Sequence, residues 1–188
     1  MKTGIYCGSF SPVHLGHIQI VSEIIRQDLV DQVLIVPTVE YWNKNSLIPL
    51  QERIAMLQFF ETDRIKVETE LNHIPTTYKG MCAYQQLHPE QELTLIVGAD
   101  NLPKFHEWVD YQLLLRFPFI VIRRDENSEE YIRMRMKELG KENYTVLQIE
   151  NIDISSTFIR ENIDKPELLK DKIDERVYQY ILTHNIVF

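Results

Sequence analysis

The stretch with the most chemical content is Gly8-Ser9-Phe10-Ser11-Pro12-Val13-His14-Leu15-Gly16-His17. His14 and His17 stand three positions apart, so in a first helical turn both imidazoles project from one face. Two ring N–H donors would then point where a helix amino end, with its unpaired amides and positive dipole, already favours an anion. Gly16 between them carries no side chain and admits a ligand or a second backbone. The chemistry this predicts is phosphate binding. A surface loop with two incidental histidines is the bland alternative, which suits a single His better than the whole ten-residue pattern.

The elements that must hold this turn can be read on either side of it. Residues 3–7 are short and mostly apolar, as a buried strand requires. Gly8 and Pro12 punctuate the chain. Ile18, Val21 and Ile25, with Ile20 and Ile24 beside them, recur at helical spacing, so a helix begins between Pro12 and Gly16. Residues 33–36 then form a second strand closed by Pro37, which completes a strand–helix–strand unit. Alternation continues with a helix at 50–60, a strand at Ile65–Val67, a helix at 78–87 and strands at 93–97, 119–122 and 145–149. A last helix at Glu175–Thr183 carries Val177, Tyr180 and Ile181 toward the core. This pattern predicts a single α/β domain over residues 1–188, a doubly wound parallel sheet with helices on both faces. Ligands of such sheets bind beyond the carboxyl ends of the strands.

Strand ends therefore supply the remaining candidates. The connection at 38–49 is long for an α/β unit and carries Tyr41, Trp42 and Lys44, which suit either a planar phosphorylated ligand or a loop folded over the core. Gly98 allows close backbone approach, while Asp100 can accept from ribose hydroxyls or cap the next helix. Trp108 can stack on a heteroaromatic ring or fill core. Arg123 and Arg124 can take a phosphate in bidentate fashion or lie solvated. Ser155 or Ser156 would cap a helix running through residue 163, with Arg160 one turn beyond Ser156 on the same face. The run Arg133 to Lys137 alternates basic and apolar residues and reads as a solvated helix face.

Composition narrows the function class. The chain has 188 residues, 44% hydrophobic and 26% charged, which fits one soluble globular domain. A net charge of -8 argues against nucleic-acid binding. Any polyphosphate charge must then be met locally. Cys7 and Cys82 form no C-x-x-C pair, so a disulfide framework or zinc site is not expected, and both read as small buried residues. No GxxxxGK[ST] or GxGxxG motif is present. With no membrane-length apolar run and no cleavable leader pattern, a cytoplasmic location is expected.

The first stretch resembles the GxFxPxHxGH signature of the nucleotidyltransferase superfamily, with Ser11 where many members carry Asp. Further pieces extend the resemblance along nearly the whole chain: QERIAML at 51–57, GADNL through Trp108, the Arg123-Arg124 pair, ISSTFIR at 154–160 and the later VYQYI. Together they resemble the bacterial nicotinate mononucleotide adenylyltransferases. The resemblance implies a Rossmann-like fold and transfer of AMP from ATP to nicotinate mononucleotide, giving nicotinate adenine dinucleotide and pyrophosphate, with Mg²⁺ accompanying ATP and no protein metal ligand. It implies ATP contacts from Gly8, Ser9, Phe10, His14, His17, Gly98, Asp100, Ser156 and Arg160, His14 and His17 being catalytic. It places Lys44, Thr77, Tyr78, Trp108 and Arg124 on the acceptor. Assembly into a homo-oligomer is compatible with it. Two departures fall at the acceptor: Trp42-Asn43-Lys44 replaces a Pro-His-Lys element, and Thr77-Tyr78-Lys79 replaces Ser-Tyr-Thr. The alternatives are an adenylyltransferase for nicotinamide mononucleotide or phosphopantetheine, or a nucleotide-binding regulator without turnover.

Overall fold

The computed structural model describes residues 1–39, 48–71, 73–124, 128–149 and 154–188. The elements in chain order are β1 (Lys2–Gly8), α1 (Leu15–Arg26), β2 (Gln32–Pro37), α2 (Leu50–Gln58), β3 (Ile65–Val67) and α3 (Thr77–Leu87). They continue with β4 (Glu92–Gly98), a 3-10 helix (Ala99–Glu107), α4 (Tyr111–Leu114), β5 (Phe119–Arg123), α5 (Glu129–Glu138) and β6 (Tyr144–Gln148). Three short helices close the chain: α6 (Ser156–Glu161), α7 (Pro166–Leu169) and α8 (Glu175–Thr183).

Six parallel strands form one sheet in the order β3-β2-β1-β4-β5-β6. The fold is thus the doubly wound, Rossmann-like α/β class that the alternation predicts, with the strand order reversing between β1 and β4. Side chains alternate across each strand, which divides the core in two. Tyr6, Val33, Ile35, Ile96, Ile120 and Ile122 pack with α1, α2, α6, α7 and α8. Ile5, Leu34, Leu95, Val97, Phe119 and Val121 pack with α3, the 3-10 helix, α4 and α5. Central strands buried on both faces explain why β1, β4 and β5 read as continuous apolar runs.

Several boundaries and three elements differ from expectation. The helix expected at 50–60 stops at Gln58, and the one expected through residue 163 stops at Glu161. The region after Gly98 winds as a 3-10 helix with Pro103 inside it, so Asp100 lies within that helix and caps nothing. Pro103 lacks the N–H that a longer α-helix would need. α4 and α7, four residues each, are too short to show a period. Among the described residues, no helix is long and apolar enough to cross a membrane.

Candidate active site

A cleft of about 720 Å³ opens at the carboxyl ends of β1 and β4, where the strand order reverses. One wall is the turn Gly8–Phe10. Phe10 adopts a left-handed backbone at φ 47° and is 2% exposed as a residue. The ring lies under Gly8, where a Cβ would stand 2.9 Å from Phe10 Cζ. Glycine is therefore required at position 8, and the buried ring, edge-on to Tyr6 and His17, holds the unusual backbone of Phe10.

α1 begins at this turn with His14 as its N-cap. The His14 and His17 rings stack with centroids 3.6 Å apart. The His14 N–H donates to His17 Nδ1 at 3.3 Å, which leaves Nε2 as the proton-bearing atom of a neutral His17 ring. His17 lines the cleft. His14 is only 4% exposed, and its buried Nδ1 has no partner among the described residues.

The helix amino end offers fewer free amides than its sequence suggests. Leu15 N–H donates to Lys172 C=O, and those of His17 and Ile18 to His14 C=O. Gly16 N–H alone in that first turn keeps no acceptor among the described residues. Burial, and then the Arg124 charge, lower the His14 pKa to about 4. Burial, His14 and Arg124 lower that of His17 well below the usual value. Both rings are accordingly neutral at pH 7, held as hydrogen-bonding groups rather than as fixed cations.

Opposite this wall, Gly98, Asp100 and Trp108 reach the cleft from the end of β4 and its 3-10 helix. A Cβ at Gly98 would meet Asp100 Oδ1 at 2.2 Å, so the carboxylate folds over bare backbone there. Trp108 packs on Phe105 with centroids 5.1 Å apart and borders the cleft. Thr76 caps α3 by accepting from Lys79 N–H at 3.3 Å, which turns Thr77 and the helix amino end into the same cleft.

The family model described as cytidylyltransferase-like matches residues 5–162, from inside β1 through the last turn of α6. The chain belongs to the cytidylyltransferase-like family. It is 31% identical to a protein of Carboxydothermus hydrogenoformans named a probable nicotinate-nucleotide adenylyltransferase, over 98% of this chain and 97% of that one. Identity to the protein of the same name from Flavobacterium psychrophilum is 27%, covering 96% of each chain. A solved Plasmodium falciparum nicotinic acid mononucleotide adenylyltransferase, complexed with NaAD, superposes with a TM-score of 0.82 at 21% identity, covering 98% of this chain and 96% of that one.

In this cytidylyltransferase-like chain, Gly8, Ser9, Phe10, His17, Gly98, Asp100, Thr77, Trp108 and Arg124 border one cleft, with His14 stacked directly behind His17. Arg123 and Arg124 diverge: Arg123 lies 3.9 Å from Glu129, while Arg124 faces the cleft. Tyr78, one step round α3 from Thr77, does not border the cleft and its hydroxyl is bonded to Cys82. Ser155 is the cap of α6, accepting from Phe158 N–H at 3.1 Å. Ser156 Oγ instead donates to Pro12 C=O at 2.9 Å, and Arg160 Nη1 to Ser11 C=O at 2.6 Å, so both stand behind the turn. Lys44, Tyr41 and Trp42 lie outside the described residues. Cys7 is half-buried at the cleft floor beside Thr77, and burial pushes its thiol up to about 12.

Arg53 is the residue that sequence reading overlooked. It lies on the apolar stripe of α2 with Leu50 and Leu57, at the i+3 and i+4 spacing where a charge signals an internal partner. It is 1% exposed and donates to the carbonyls of Ile48, Ser9 and Thr38 at 2.8, 2.7 and 2.9 Å. Ser11 accepts from Ile48 N–H through its Oγ at 2.9 Å.

Proposed function

We propose that this protein transfers AMP from ATP to nicotinate mononucleotide, forming nicotinate adenine dinucleotide and pyrophosphate in NAD biosynthesis. The observation that carries the reading is the stacked, neutral His14–His17 pair opening onto a cleft at the carboxyl ends of β1 and β4. The acceptor phosphate attacks the α-phosphorus of ATP directly, and pyrophosphate leaves from the opposite side. No protein nucleophile takes part, so catalysis is alignment plus stabilisation of charge.

In this reading His17 Nε2–H donates to the transferring phosphoryl group, and the orphaned His14 Nδ1 gains its partner from the same phosphates. Gly8, Ser9 and Phe10 line the phosphate turn, Gly98 and Asp100 receive the ribose, and Ser156 and Arg160 serve the outer phosphates from behind the turn. Arg124 holds the acceptor phosphate, Trp108 stacks on the pyridine, and the amino end of α3 at Thr77 meets the carboxylate. Tyr78, one step round α3 from Thr77, and Lys44 complete the acceptor set. Mg²⁺ enters this scheme with ATP. When bound with ATP, Mg²⁺ neutralises the outer phosphates and makes pyrophosphate a better leaving group. A cytoplasmic enzyme, with homo-oligomers compatible, completes the proposal.

The test is pyrophosphate release by the purified protein with ATP and Mg²⁺, run beside nicotinate mononucleotide, nicotinamide mononucleotide and phosphopantetheine. Release with nicotinate mononucleotide alone is expected. Preference for another acceptor moves the protein to a sister activity, and ATP binding without release with any of the three refutes transfer.

A further inference from the structure

Four carbonyls of the phosphate turn are held by donors from other segments. Gly8 C=O accepts from Thr38 N–H at 2.9 Å and from Thr38 Oγ1 at 3.2 Å. Ser9 C=O accepts from Arg53, Ser11 C=O from Arg160 and Pro12 C=O from Ser156. In a trans peptide the carbonyl and the following N–H point in opposite directions. Fixing Ser9 C=O toward α2 therefore turns Phe10 N–H the other way, and among the described residues that N–H has no acceptor. Phe10 borders the cleft, so this unpaired N–H belongs to a residue of the cleft wall.

Arg53 is suited to this task by shape. Its Nη1 joins Ser9 to Thr38 and its Nε holds Ile48, three carbonyls from three segments gripped by one planar group. Ile48 N–H in turn donates to Ser11 Oγ, so the grip returns to the turn two residues further on. A lysine ammonium has no fixed fork and cannot meet all three oxygens in that plane.

We propose that Arg53 is a positioning residue for the transfer reaction, locking the Ser9–Phe10 peptide so that Phe10 N–H is presented to a phosphate of ATP. The inference rests on the adenylyl-transfer reading of the cleft. Arg53 touches no substrate; it acts through the backbone it holds, and its loss frees that peptide to rotate.

The experiment compares the wild type with Arg53→Met and Arg53→Lys. ATP affinity is measured by calorimetry without acceptor, Michaelis constants by pyrophosphate release, and folding by circular dichroism. Arg53→Met is expected to weaken ATP binding at least tenfold and Arg53→Lys by less, while the Michaelis constant for nicotinate mononucleotide stays within twofold. A folded Arg53→Met that binds ATP within twofold of wild type overturns the proposal, as does an equal rise in both substrates' constants. Should Arg53→Met fail to fold, Arg53→Lys is judged by the same comparison, and failure of both assigns Arg53 to the fold alone. A wild type that binds ATP yet releases no pyrophosphate refutes the acceptor reading and leaves the ATP comparison to judge Arg53.

Discussion

Acidifying the free protein from pH 7 to pH 5 should destabilise it through the His14–His17 pair. Burial and then Arg124 hold His14 down at about 4, whereas an unfolded imidazole titrates near ~6.5. Between those values the unfolded chain binds more protons than the native one, so stability is fully present above the unfolded pKa and falls as the pH drops. At pH 5 the gap worked over is ~1.5 pH units, which at ~1.36 kcal/mol per unit gives about 2 kcal/mol from His14. His17, lowered by burial, by His14 and by Arg124, adds in the same direction. Tyr6 and Phe10 complete the wall around His17 and supply no cation acceptor. Carboxylates held low by Arg partners, Glu23 and Asp174, lose their pairing only at more acidic pH, so the window isolates the imidazoles. For a chain of this length a shift of about 2 kcal/mol corresponds to ~4–8 °C in Tm. Calorimetry at pH 5, 6 and 7 on the wild type and His14→Asn checks this. The variant should lose the His14 share of the slope, while His17, lowered first by its own burial, keeps its own. Equal slopes in the two proteins would refute the burial argument.

Three further outcomes follow from the placement of single side chains. His17→Ala should lower turnover roughly a hundredfold or more, the usual loss on removing one preorganised donor; wild-type rates would remove His17 from the chemistry. Arg160→Ala should mainly raise the Michaelis constant for ATP, because Arg160 holds Ser11 C=O behind the turn; unchanged ATP constants and turnover would exclude it. Trp108→Ala should raise the Michaelis constant for nicotinate mononucleotide about tenfold, from the loss of ~1–3 kcal/mol of stacking, with ATP binding little altered. A matching loss of ATP affinity would mean that Trp108 acts through packing on Phe105 instead.

The sheet was legible because its central strands are buried on both faces and so read as apolar runs separated by helical periods. Strand ends could then be collected as candidates before their neighbours in space were known. Strand order was not legible, since periodicity says nothing about which strand lies beside β1. Nor was the partition of duties at the second anionic end: Ser155 and Ser156 are equally good caps in sequence, and only the contact with Pro12 tells them apart. Arg53 was hidden for a different reason. It bonds to main-chain carbonyls, which leave no mark in the side-chain pattern, and the one available signal was a charge on an apolar helical stripe.

The turn at Gly8–His17 is written near the start of the chain but is held largely from its far end. Ser11 and Pro12 take their donors from Arg160 and Ser156, 149 and 144 positions away, and Leu15 N–H rests on Lys172 C=O. During synthesis from the amino terminus, Gly8 and Ser9 can therefore gain Thr38 and Arg53 early, while Ser11, Pro12 and Leu15 wait for residues 156–172. Contacts of such long separation also close late and slowly in folding. A chain interrupted anywhere before residue 155 can carry every signature residue of the turn and still lack the donors that set its shape. Competence to hold the nucleotide thus waits on residues 156–172.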